Sequence, residues 1–219
     1  MTEASFVPIV GMDVSNPMIK NIIFDIGNVL MPFGYRPFFE SFGYDGETVE
    51  RLAKATAQSP DWNELDRGVL PYEEVLGRFI QNDPQLEDII HRVFADLHGI
   101  LGIYDYTESW IRQLKEVGYG VYYLSNFFQK ADEDCKELMG FLELMDGGIL
   151  SYKDKMTKPD RQIYELLLTR YGLKAGECVF LDDTEKNIIG ARTVGIHGIL
   201  FQDKQKAVEE LQKLGVKTE

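Results

Sequence analysis

The sequence predicts an α/β protein: a doubly wound, Rossmann-like parallel sheet core with an inserted α-helical cap. Three observations predict it. Short continuous apolar runs bounded by polar turn residues recur along the chain, as strands buried on both faces require. Amphipathic helical segments separate several of these runs, the pattern of right-handed βαβ units. One long stretch breaks the alternation and shows helical spacing with no convincing buried strand.

The elements follow in chain order. Residues 1–17 contain Glu3 and Asp13, lack a basic opening and hold no apolar run long enough for a signal peptide or membrane span. They read as an N-terminal tail, and translation from Met18 would leave the domain intact, which the mass of the native protein decides. Ile22-Ile23-Phe24 is the first buried strand, within a core segment spanning residues 18–34. Residues 35–103 form the expected cap, with Val75, Phe79 and Ile80, then Ile89, Ile90, Val93, Phe94 and Leu97, at helical spacing. The core resumes over 104–219. Thr107 can cap a helix that buries Ile111, Leu114 and Val117, and Gly118 can stop it. Val121–Leu124 is the next strand. A helix from about Asp160 turns Ile163, Leu166 and Leu167 inward, Val179–Leu181 is a further strand, and a helix with Ile188, Ala191 and Val194 runs to Gly195. Ile199–Phe201 is the last apolar run.

A chain of 219 residues accommodates one such core with an appendage. Its 44% hydrophobic and 27% charged residues are those of an ordinary soluble globular protein. The formal charge of −13 argues against binding nucleic acid or anionic membranes through the overall field, but leaves room for a small anionic substrate held by a few local cations. Cys135 and Cys178 are far apart and have no ligand-type spacing, so neither a disulfide framework nor a zinc site is expected, and a cytoplasmic location fits. The sequence does not set the oligomeric state; a monomer is compatible with it.

In a doubly wound sheet, ligands bind at the carboxyl ends of the strands. Four polar segments fall at such places. Asp25, Gly27 and Asn28 follow the first strand. Ser125 and Asn126 follow the second and can donate to phosphate oxygens. Lys158 precedes a helix and can neutralise an anion. Asp182 and Asp183 end another buried strand, where two acids near Asp25 would repel unless a hard cation such as Mg²⁺ joined them. Taken singly, the first two segments read more readily as turns or caps and Lys158 as a solvated surface residue, while Asp182-Asp183 is as readily a helix cap as a metal site.

Together, in this order, the four segments resemble the four motifs of the haloacid dehalogenase superfamily, a likeness spanning Asn21 to Phe201. The resemblance implies that Asp25 is a nucleophile, that Ser125 and Lys158 hold the transferring phosphoryl group, and that Mg²⁺ is bound by Asp25, the Gly27 carbonyl, Asp182 and Asp183. Gly27, Asn28 and Asn126 would line the phosphate. The expected activity is hydrolysis of a small phosphorylated metabolite through an aspartyl phosphate. One position departs from the pattern: family phosphatases usually carry an acid-base Asp where this chain has Gly27. General acid-base catalysis contributes about 10²- to 10⁴-fold, so its absence favours substrates with good leaving groups, such as sugar 1-phosphates. Phe24–Val29 is also similar to the opening motif of the bacterial α-D-glucose-1-phosphate phosphatase branch. In the cap, Trp62–Gly68 resembles the substrate-contacting segment of that branch and offers Arg67, with a solvated turn as the alternative reading. The other functional readings are a 2-haloacid dehalogenase, which needs no metal, and a catalytically weak phosphate-binding or regulatory protein.

Overall fold

The computed structural model describes residues 18–218; the tail expected over 1–17 lies outside the described residues. Five parallel strands form one sheet: β1 (Asn21–Phe24), β2 (Gly120–Ser125), β3 (Gly147–Leu150), β4 (Cys178–Asp182) and β5 (His197–Leu200), in the order β3-β2-β1-β4-β5. β1 sits at the centre because every residue from Ile22 to Phe24 is apolar and fully buried, so the strand needs cover on both faces. The faces separate by alternation. Ile22 and Phe24 join the side chains of α6 (Thr107–Val117) and α11 (Lys204–Lys213), with Trp110 edge-on to Phe24 at 4.8 Å. Ile23 points to the opposite face, against α9 (Arg161–Tyr171) and α10 (Glu185–Thr193).

The chain leaves β1 toward β2 and β3, then returns to β4 on β1's other side. The strand order therefore reverses at β1/β4, which opens a crevice at their carboxyl ends. Phe24 lies abreast of Tyr123 and Leu181, so the next steps along the three strands bring Asp25, Ser125 and Asp182 to one edge.

Between β1 and α6 the chain forms α1 (Tyr35–Glu40), α2 (Gly46–Ala55), α3 (Trp62–Arg67), α4 (Tyr72–Asn82) and α5 (Glu87–Phe94). No strand occurs there among the described residues; an isolated Phe33–Leu101 bridge joins the chain entering and leaving this insertion. Trp62 ties it to the rest of the molecule, packing on Phe79 within the insertion and on Phe33 and Phe128 beside the sheet edge.

Two features differ from the sequence expectation. Thr107 is the first residue of α6 rather than its cap, and its buried hydroxyl donates to the Leu30 carbonyl, fastening the loop after β1. β3 was not foreseen, because it opens on Gly147-Gly148, residues that weaken strand propensity. Gly148 is there for closeness: a Cβ on it would lie 2.3 Å from the Tyr123 carbonyl oxygen on β2. Backbone cannot yield cheaply, so Gly148→Ala is expected to cost about 1–3 kcal/mol. At about 2–4 °C per kcal/mol for a chain of this size, a thermal melt should fall by several degrees. The remaining elements, α7 (Gln129–Asp134) and α8 (Ser151–Asp154), follow β2 and β3.

Candidate active site

At the reversal point a buried lysine is clasped by two buried carboxylates. The Lys158 ammonium is 2.9 Å from Asp25 Oδ1 and donates to Asp182 Oδ2 at 2.6 Å. Lys158 is 1% exposed and Asp182 fully buried, so neither could stand charged alone. Burial works against the Lys158 charge, but Asp182 and Asp25 together outweigh it and raise its pKa above the ordinary lysine value. It is a fixed cation. Asp25 is the reverse case: burial pushes its carboxyl up to about 7, with Lys158 and the Ser125 hydroxyl pulling down and the Asp182 charge pushing up. An isolated anion at Asp25 is thus disfavoured, and a second cation beside it would release that penalty.

The surrounding polar residues fix these groups. Asn126 accepts from the Lys158 N–H at 2.7 Å and donates to its carbonyl at 3.0 Å, so the amide expected at a phosphate holds the Lys158 backbone instead. Asn187 donates to both oxygens of Asp182, and the Thr184 N–H donates to Oδ1. Asn28, in the left-handed region at φ 57°, donates to Asp183 and accepts from the Phe33 N–H. Its amide positions Asp183 rather than reaching out as a free donor.

Asp25, Asp182 and Asp183 each present an oxygen within 4.8 Å of the others. The donor set suits a hard divalent ion. Asp183 is exposed, its Oδ2 accepting from Asn28 and its Oδ1 from the Thr184 hydroxyl, and nothing among the described residues donates to the Gly27 carbonyl. Asp182 enters such a set as the weaker donor, because four hydrogen bonds already engage it.

Asp25, Gly27, Asn28, Ser125, Lys158 and Asp183 floor a cavity of about 230 Å³, room for a phosphoryl group and a small organic part. Its upper wall is apolar: Phe33, Trp62, Leu101, Phe127, Phe128 and Ala131. Two charged residues that the sequence reading did not single out also line it: Lys186, and Asp66 from within the Trp62–Gly68 segment. Arg67, expected to contact substrate, is not among the residues lining this cavity; its neighbour Asp66 is. The usable signal was spacing, since Trp62 and Asp66 are four apart and share one face of α3.

Comparison with known proteins gives a consistent picture. A model of the haloacid dehalogenase-like hydrolases matches residues 19–195. A sesquiterpene phosphatase of Aspergillus oryzae is 27% identical over 195 residues, covering 89% of this chain and 96% of that protein. A drimenol cyclase of Aspergillus calidoustus is 24% identical across 90% of this chain, which spans only 37% of that protein's length. Among solved structures, a HAD family enzyme of Bacteroides thetaiotaomicron in complex with magnesium and inorganic phosphate superposes with a TM-score of 0.64 at 22% identity. The match covers 86% of this chain and 98% of that one, a likeness of fold.

Proposed function

The chain belongs to the haloacid dehalogenase-like hydrolase family, and on that premise we propose that it is a magnesium-dependent phosphatase of small phosphomonoesters. The observation that carries the reading is the Asp25–Lys158 contact at 2.9 Å, with the exposed Asp183 beside it at the strand reversal. A carboxylate next to a permanent cation is placed to meet an anionic phosphoryl group, and phosphoryl transfer depends chiefly on positioning and charge neutralisation.

In this reading Asp25 attacks phosphorus and becomes an aspartyl phosphate, which water then hydrolyses. Lys158 and Ser125 hold the transferring oxygens, with Gly27, Asn28 and Asn126 around them. Asp25, the Gly27 carbonyl, Asp183 and Asp182 would hold Mg²⁺, which when bound neutralises charge shared by the carboxylate and the phosphate. Asn126 and Asp182 keep Lys158 in place, and Asn28 does the same for Asp183. The insertion over 35–103 acts as the cap that covers the cavity with Trp62. The retained acids favour this chemistry over metal-free dehalogenation and over a silent binding protein. The protein is expected to act in the cytoplasm, without nucleic-acid or membrane partners; no helix among the described residues is long and apolar enough to cross a membrane.

A sugar 1-phosphate suits the leaving-group argument drawn from Gly27. A second reading has its own support: the aromatic wall offers little to sugar hydroxyls and favours an apolar organic group, and one relative is named for acting as a sesquiterpene phosphatase. A phosphate-release screen with sugar 1-phosphates, sugar 6-phosphates, aryl and prenyl phosphates tests both. Release should require Mg²⁺, with chelation lowering it by at least about 100-fold. Sugar 6-phosphates ranking above sugar 1-phosphates would remove the sugar 1-phosphate reading, and a prenyl phosphate ranking above the aryl and sugar esters would support the apolar one.

A further inference from the structure

We propose that Asp66, delivered by the helical insertion, is the general acid and base of this site, in place of the carboxylate missing at position 27. The inference rests on the phosphatase reading and deepens it. Asp66 is 9% exposed and lines the same cavity as Asp25 and Lys158, yet none of the described residues donates to its carboxylate. Its carboxyl oxygens are not sealed in protein, so they can meet an ester or a water in the cavity that the residue lines. Its location is fixed rather than accidental: the Asp66 carbonyl accepts from the Ser151 hydroxyl, which also accepts from the Phe127 N–H, and Gly68 packs directly on Tyr152. Lys158 and Lys186 lie near enough to moderate its charge, while burial pushes its pKa up to about 7, a value at which a carboxyl both gives and takes a proton near neutrality.

The steps balance. In the first, the Asp25 carboxylate oxygen bonds to phosphorus, the bond from phosphorus to the ester oxygen breaks, and the Asp66 carboxyl gives its proton to that oxygen. The products are a free alcohol, the aspartyl phosphate and the Asp66 carboxylate. In the second, water bonds to phosphorus, its proton passes to Asp66, and the bond from phosphorus to the Asp25 oxygen breaks. Inorganic phosphate leaves, and both side chains return to their starting states. An acid in this place removes the restriction to good leaving groups that Gly27 otherwise imposes.

The test compares benzyl phosphate with 4-nitrophenyl phosphate, esters of similar shape whose leaving oxygens differ widely in their need for a proton. For Asp66→Asn, kcat/KM on benzyl phosphate should fall by about 10²- to 10⁴-fold, and on 4-nitrophenyl phosphate by less than about tenfold. The retained 4-nitrophenyl activity reports an intact fold. Adding Gly27→Asp to that variant should recover at least about tenfold of the lost benzyl activity, because a Cβ at Gly27 meets nothing closer than Phe33 Cβ at 3.9 Å. Equal losses on both esters, or no loss on either, overturn the role of Asp66 and leave the phosphatase reading standing. A parent enzyme inert toward every ester overturns the phosphatase reading, and this proposal with it.

Discussion

Asp25→Asn should lower phosphate release by about 10⁴-fold or more and leave the fold intact. The size follows from the role: a nucleophile whose loss removes the covalent route takes most of the rate with it. The intact fold follows from the electrostatics. Burial raises the Asp25 pKa to about 7 from an ordinary 3.8, so the folded protein holds a proton there that the unfolded chain releases. Stability from this group is therefore greatest at low pH and declines as pH rises from about 4 to about 7. An uncharged amide carries no such decline. The melting temperature of Asp25→Asn at pH 8 should be no lower than that of the parent, and a lower one would mean that the Asp25 charge stabilises the fold.

Lys158→Met is the second large effect, and it moves both quantities. It leaves the buried Asp25 and Asp182 without their common cation, and breaking a buried ion pair on one side costs about 3–5 kcal/mol. Without the ammonium the Asp25 pKa rises further, so the stability deficit should be largest above pH 7 and shrink toward pH 5 as the carboxyl takes up a proton. Activity should fall by about 10²- to 10³-fold, the loss expected when a preorganised charge is taken from a transition state. Equilibrium denaturation at pH 5 and pH 8 with parallel kinetics checks this. A deficit independent of pH would show that Lys158 matters for packing alone.

Much of this arrangement was legible because burial on both faces leaves a plain mark. β1, β2 and β4 are runs of apolar residues, and the acids and amides that end them could only reach the carboxyl edge of a parallel sheet. Strand β3 left no such mark, since its two glycines serve an approach to β2 that only three dimensions reveal. The amides of Asn28 and Asn126 were readable as polar residues at a ligand edge. Their partners, Asp183 and the Lys158 backbone, lie 155 and 32 residues away, and no local pattern encodes those pairings. That Asp66 rather than Arg67 lines the cavity depends on the phase of a six-residue helix, too short for its apolar face to declare itself. Trp62 and Leu65 carried that phase.

The central claim is that Asp25 becomes phosphorylated, and acid quenching of the turning-over enzyme followed by peptide mass analysis tests it most directly. The account predicts one phosphoryl group on the peptide containing Asp25, absent from Asp25→Asn and from enzyme quenched without Mg²⁺. Phosphate release with no covalent phosphoryl group at any stage, or with the group on another residue, would contradict it.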